Sequence, residues 1–450
     1  MRKIIHSLLF LVITAPMASA ENPAPKNKIF PYPIYRTVLE NGLTVISIPF
    51  DSPGVISYYT VVRAGSRNEV EPGLSGFAHF FEHMMFRGTE KYSKDDFTEV
   101  LKSIGADYNA FTTSDYTAYF TLATSAALET IMDLESDRFM NLQFSVEDFK
   151  TEAGAVLGEY NKNYSNPFMG ILEKLHDSAY EQHTYKHTTI GFLKDIMDMP
   201  NQYEYSLKFF DRWYRPEHCA LVIVGDVEHE HLVTLAEQYY GNWERGSYTL
   251  NVSLDAPQQK EKFVEMSWKA QTLPILVIGY HGPAFSGSKI DMPAIDLLSQ
   301  VLFSQTSDLF RKLVIEDQSV EFVQGGQVDS RDPGLFTIFT RIKDPKNIQK
   351  VQSEIFAAIE RAKTTPVSAE QLAEIKSHLR YSFAMGLDNA DSIARTISHY
   401  VQLTGDPESV NRVYEMYDKV APEDILMVAN KHFGANNRTV VLLTQEGARP

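Results

Sequence analysis

The sequence predicts an α+β protein of two homologous domains, each a mostly antiparallel sheet covered by helices. Three observations lead there. Apolar residues are 44% of the 450-residue chain and charged residues 22%, enough for real cores in a chain of about two to four domains' length. Short β-branched or alternating runs are interleaved with longer runs of helical spacing. The order strand, strand, helix, strand, helices, strand also occurs twice, at a period of about 220 residues.

The first half opens with a strand over Tyr35–Ile48, broken by the turn Asn41-Gly42, and a second strand over Gly54–Ala64. A glycine-rich loop, Gly65 to Gly76, leads into a helix near Phe77–Phe86. Ser93 with Asp96 three residues on marks the next helix start, and Gly105 its end. The aromatic, β-branched alternation of Tyr116–Leu122 predicts a strand, followed by helices near Ser125–Met140 and Val146–Tyr164. A strand over His218–Val224 closes this half. The second half repeats the pattern. Strands are expected near Phe263–Trp268 and Leu273–Tyr280, then helices near Met292–Leu302 and Leu309–Glu316, then strands over Val320–Val328 and Leu335–Ile342. Helices follow over Ile348–Ala362, Ala369–Met385 and Ala390–Leu403, and a strand over Thr439–Leu443 ends the pattern.

Residues 1–20 have the form of a signal peptide. Arg2 and Lys3 precede an apolar stretch too short for a comfortable membrane span, and Ala18-Ser19-Ala20 fits a small-x-small cleavage site. The expected organisation is signal peptide 1–20, leader 21–34, an N-terminal domain 35–245, a linker 246–258 and a C-terminal homologous domain 259–450. The expected mature chain is exported, with no stable membrane span. A formal charge of −16 makes nucleic acid a poor partner. Cys219, the single cysteine, reads as core filler beside Ala220–Val224.

The sharpest chemical feature is His79-Phe80-Phe81-Glu82-His83. Four apart on a helix, His79 and His83 point the same way and can grip one metal ion, with Glu82 near the same face. This reverses the His-Glu-x-x-His order. The plainer alternative is a local hydrogen-bond network. A catalytic zinc needs a third protein ligand from elsewhere. Glu152 and Glu159, seven apart on one helix among Ala153, Val156 and Leu157, are candidates: one to ligate, the other to orient a histidine. A second site at His176, His183 and His187 is a weak alternative. There is no Gly-x-Ser-x-Gly elbow, Walker loop or Gly-x-Gly-x-x-Gly.

The run Arg63-Ala64-Gly65-Ser66-Arg67, the run Gly76-Phe77-Ala78-His79-Phe80-Phe81-Glu82-His83-Met84-Met85-Phe86-Arg87-Gly88-Thr89, the stretch Gly105 to Thr117 and the pair Glu152/Glu159 together closely resemble the pitrilysin-type (M16) zinc metallopeptidases. The resemblance spans roughly Thr37 to Val441, and it is to the short-chain, zinc-bearing subunit. It implies a metallohydrolase-like fold of the M16/LuxS type, forming half of a clam-shell. It implies one zinc per chain on His79, His83 and Glu159, Glu82 as general base of an endopeptidase, and Glu152 as a supporting acid. Asn109, Ala110 and Phe111 fall at the family's edge strand, which takes the substrate backbone by β-addition. Unfolded or short peptides are the implied substrates, and the periplasm the expected compartment.

One departure stands out. Where the family's second domain carries an arginine and then a tyrosine for the developing oxyanion, this chain has Asp308, and no tyrosine near Val320. Three expectations follow: a homologous zinc-free subunit supplies the pair in a heterodimer; Arg311 substitutes within a homodimer; or the protein has little peptidase activity. The alternative function is a non-catalytic peptide-binding or assembly subunit of a membrane-associated or periplasmic complex.

Overall fold

The computed structural model describes residues 28–447. The expected signal peptide and the first part of the leader lie outside the described residues. Among the described residues, eleven strands form two sheets. The first contains β1 (Tyr35–Val38), β2 (Thr44–Pro49), β3 (Val55–Val62), β4 (Asp107–Thr112), β5 (Thr117–Thr124) and β6 (Cys219–Gly225), in the order β1-β2-β6-β3-β5-β4. The second contains β7 (Lys262–Trp268), β8 (Ile275–His281), β9 (Val320–Gln327), β10 (Leu335–Ile342) and β11 (Arg438–Gln445), in the order β7-β11-β8-β10-β9. Only β2–β6 and β7–β11 are parallel pairs. Without β1, the two orders are the same path walked twice, which is the duplication legible in the sequence.

Eight helices belong to the first half: α1 (Phe77–Met84), α2 (Lys94–Ser103), α3 (Leu128–Asn141), α4 (Val146–Tyr164), α5 (Pro167–Ala179), α6 (Leu193–Asp198), α7 (Tyr203–Trp213) and α8 (His229–Tyr240). Seven follow: α9 (Asp291–Phe303), α10 (Asp308–Phe310), α11 (Ile348–Thr364), α12 (Ala369–Met385), α13 (Ala390–Thr404), α14 (Ser409–Lys419) and α15 (Pro422–His432). The helix expected over Leu309–Glu316 is a single turn, α10, widening into a π-helical turn over Arg311–Glu316. The expected linker falls inside 243–261, which carries neither helix nor strand.

Each sheet is covered on both faces, and the second cover is crossed over. On the first sheet, Val45, Tyr58, Val62, Leu221 and Ile223 face α1, α3, α4, α7 and α8. Their alternating neighbours Ile46, Ile48, Tyr59, Val61, Val222 and Val224 face the other way, against Ile393, Ala394 and Ile397 of α13. The second sheet receives the reciprocal helix. Ile171 and Leu175 of α5 pack on Ile275, Val277, Val441 and Leu443. Two-sided burial explains why β6 reads as the unbroken run Cys219–Gly225 rather than as an alternation. Cys219 is buried in it.

Polar contacts also join the halves. Arg67 Nε lies 2.6 Å from Asp332 Oδ2, which His183 Nε2 approaches to 2.9 Å. Tyr185 donates to Asp115 at 2.6 Å, and the Arg331 amide donates to the same carboxylate at 2.9 Å. Of these residues, Arg67 lies in the loop that leads into α1.

Candidate metal centre

Helix α1 has only eight residues and no side-chain cap of its own. Its start is held from outside: the Gly76 and Ala78 amides each donate to the Glu69 carboxylate at 2.7 Å. Gly76 has φ +95°, and a Cβ there would meet the Ile190 carbonyl at 2.6 Å, so glycine is required twice over. Phe77, Ala78, Phe80, Phe81 and Met84 are buried in the core. The remaining edge of the helix presents His79, Glu82 and His83. α4 packs alongside and brings its own polar edge to the same place.

His79 Nε2 and His83 Nε2 each lie 3.5 Å from Glu159 Oε2. One ligand atom from each of the three residues falls within 4.8 Å of the others, the single such group among the described residues. Glu152 does the other task anticipated for the pair. Its Oε1 takes the His83 Nδ1–H at 2.8 Å, and Arg87 Nε donates to its Oε2 at 2.6 Å. This bond fixes the His83 tautomer with its Nε2 lone pair toward Glu159. Burial pushes the Glu152 carboxyl up, but the hydrogen bonds from His83 and Arg87 outweigh it and hold the group below its ordinary range.

Burial, then the neighbouring His83, lowers the His79 pKa to about 4, so its ring is neutral and has a lone pair to give. Among the described residues its Nδ1 is buried without a partner. The donor set of two imidazole nitrogens and one carboxylate oxygen fits a zinc ion with one position left open; the hydrogen bond to Glu152 raises the His83 pKa, so a metal there would displace a proton from that ring. Glu82 stands beside this point without joining it. Burial raises its pKa, and the Thr112 hydroxyl, donating at 2.6 Å, opposes that rise.

Thr112 is the last residue of β4, which among the described residues pairs only with β5, leaving its outer edge open. Asn109 is exposed and Ala110 buried, and the Asn109 side chain accepts the Ala110 amide at 2.9 Å. Phe111 points to the opposite face of the sheet from Thr112 and packs on Tyr116 and Phe120. The strand edge therefore lies beside Glu82, while the Phe111 ring does not.

The three other histidines are not brought together. His176 Nδ1 meets the Tyr185 carbonyl, His183 meets Asp332, and His187 Nδ1 meets the Thr188 carbonyl. Arg311 lies 2.9 Å from Asp308 and 3.5 Å from Glu316 on the surface of the second half. Sequence reasoning missed Arg87, Thr112 and Glu69. Arg87 had a usable signal, four residues after His83 in the same motif, although α1 ends at Met84 and it acts from the turn beyond. The other two are joined to α1 only by the fold.

Two histidines and a glutamate converging beside a further carboxylate, on a duplicated α+β fold, have the arrangement of a metallohydrolase-type centre. Comparison with known proteins agrees. The family description "Insulinase (Peptidase family M16)" matches residues 52–191, and "Peptidase M16 inactive domain" matches residues 202–379. The chain belongs to peptidase family M16. It is 25% identical to the zinc protease PqqE of Helicobacter pylori over 98% of this chain and 97% of that one. It is 25% identical to the mitochondrial-processing peptidase subunit beta of Saccharomyces cerevisiae over 87% of each chain. The crystal structure of a protease from Helicobacter pylori superposes with a TM-score of 0.85, at 25% identity, over 92% of this chain and all of that one. No helix among the described residues is long and apolar enough to cross a membrane.

Proposed function

We propose that this chain is a zinc metalloendopeptidase acting on unfolded or short peptides, with zinc on His79, His83 and Glu159 and Glu82 as general base. The observation that carries this reading is the convergence of those three ligand atoms within 4.8 Å, next to a carboxylate that is not one of them. When bound, zinc supplies a Lewis acid that polarises the scissile carbonyl and acidifies a water. Glu82 takes a proton from the attacking water and returns it to the leaving amine nitrogen. Its raised pKa suits both tasks. Glu152 and Arg87 hold the His83 ring in place. The substrate backbone lies along the open edge of β4, at Asn109 and Ala110, so main-chain hydrogen bonds bind it with little demand on sequence.

Glu82→Gln should keep zinc and lose about 10²–10⁴-fold in turnover of a mixed quenched-peptide library. Glu159→Gln should lose zinc, measured by metal analysis after dialysis. Unchanged zinc affinity in Glu159→Gln, or full turnover in Glu82→Gln, removes the reading.

The proposal includes a partner. Asp308 stands where the family arginine is expected, and Arg311 is engaged by Asp308 and Glu316. A homologous zinc-free subunit then supplies the arginine and tyrosine, and the exported pair works in the periplasm. Native protein recovered by affinity from a periplasmic extract should begin at Glu21, bring such a homologue with it, and exceed the isolated chain in turnover. The same acidic substitution favours a second reading, a non-catalytic peptide-binding or assembly subunit. It predicts zinc and peptide binding with no turnover even in the recovered complex.

A further inference from the structure

The proposed reaction uses one face of β4. Tyr108 packs toward α1 and α2 on Phe86 and Phe97, and Thr112 reaches Glu82 on that side. The other face has a different character. There α13 crosses over β3 and β6. Phe111 of β4 and Phe120 of β5 lie only half-buried beside the open edge. Arg395 of α13 reaches across them, its guanidinium 5.0 Å from the Phe111 ring centroid and 5.6 Å from that of Phe120.

Arg395 is exposed, and no carboxylate of the described residues lies within 4.0 Å of its guanidinium. Its helical neighbour Asp391 is turned into the sheet instead, accepting from Tyr59 at 2.9 Å and Ser57 at 3.3 Å. An unpaired guanidinium beside a substrate strand is notable in a chain of formal charge −16. Lying across two rings, it is held by cation–π attraction with N–H donors left for a ligand.

We propose that Arg395, on the shelf of Phe111 and Phe120, selects peptides with an acidic side chain at positions facing away from Glu82. The inference rests on the reading that substrate is taken as a strand added to β4. Such a strand lies about 4.8 Å from β4, and its side chains alternate between the two faces. Those on the Glu82 side meet the centre. Those on the other side fall over Phe111, within reach of Arg395, where aspartate or glutamate finds a charge partner and lysine is repelled. The preference therefore has a period of two residues.

The test uses one peptide sequence with glutamate moved along it position by position, against glutamine controls. Binding is measured by fluorescence anisotropy to the full-length, zinc-loaded Glu82→Gln chain, and kcat/KM on the native wild-type preparation. Glutamate should tighten binding about two- to fivefold at alternate positions, the scale of a partly exposed ion pair. Arg395→Gln should abolish the pattern with zinc content unchanged. Arg395→Glu should invert it in favour of lysine, a gain that a misfolded variant does not produce. A flat profile, a preference that survives Arg395→Glu, or no binding of any peptide overturns the inference. Alternating binding without cleavage would leave the shelf standing and remove the peptidase reading. Cleavage without alternation does the reverse.

Discussion

Thr112 makes one contact of consequence, its hydroxyl on Glu82 at 2.6 Å. A hydrogen bond to a charged group contributes about 1.5–3 kcal/mol, which is roughly 10- to 100-fold in rate if it is felt mainly in the transition state. Thr112→Val preserves shape and removes the donor. Turnover should fall by about that factor while zinc content and thermal midpoint stay near wild type, and Thr112→Ser should restore most of it. Equal turnover in all three proteins would show that the hydroxyl does not position the base. At this scale the histidine pair and Glu82 were legible, because a helix imposes its spacing on five consecutive letters. Spacing made Glu152 and Glu159 legible as a pair, and only the family resemblance told their separate roles apart. Only the packing of α4 against α1 puts one beside Nδ1 of His83 and the other beside both Nε2 atoms.

For the element α1, the Glu69 cap has a measurable consequence. Burial first, and nearby Asp195 further, raise the Glu69 pKa to about 8 against the lowering hydrogen bonds from the α1 amides. The folded protein therefore keeps a proton that the unfolded chain has released, and stability falls as pH rises from about 4.5 to about 8. Neighbouring His187 acts in the opposite sense. Burial lowers its pKa to about 4, so its contribution is lost as pH falls from about 6.5 through that value. Above about pH 6.5 the Glu69 effect stands without it. Buried Asp296, also raised to about 8, contributes to wild type in the same sense, so urea unfolding at several pH values from 6.5 to 8 should show a loss in Glu69→Gln smaller than in wild type by about 1–2 kcal/mol. Equal slopes would refute the assignment. Among elements, β4 was the hardest to read from composition. Asp107, Asn109 and Thr112 look like loop residues, and only pairing with β5 makes them a strand. The helices α8, α14 and α15 were also absent from the expected order, although Leu232, Leu235 and Ala236 of α8 and Ile425, Val428 and Ala429 of α15 recur at helical spacing.

Across the whole molecule, the exchange of α5 and α13 sets what can be separated. A fragment of residues 28–245 would lack α13 and expose Ile46, Ile48, Tyr59, Val61, Val222 and Val224 together. That is a contiguous apolar face of the kind that soluble monomers rarely show. The fragment should bind a hydrophobic dye and unfold without a cooperative transition, and co-expression with residues 246–447 should restore both properties. A cooperative, dye-silent fragment would mean that the first half does not depend on the crossed helix. The ion pair of Arg67 with Asp332 adds a directional link to the same junction, tying the loop before α1 to the second half.

The duplicated α+β plan, the expectation of a two-histidine metal site and the base beside it were all contained in the order of residues. Each depends on local periodicity, and a helix or strand imposes its period on neighbouring positions. Folding in three dimensions decided which acid meets both imidazoles, which hydroxyl reaches Glu82, which face of β4 carries Arg395, and that each sheet borrows a helix from the other half. Those are meetings between segments far apart in the chain. An amphipathic pattern says that a helix has a face to bury, but the partner surface is selected by the packing of the complete chain.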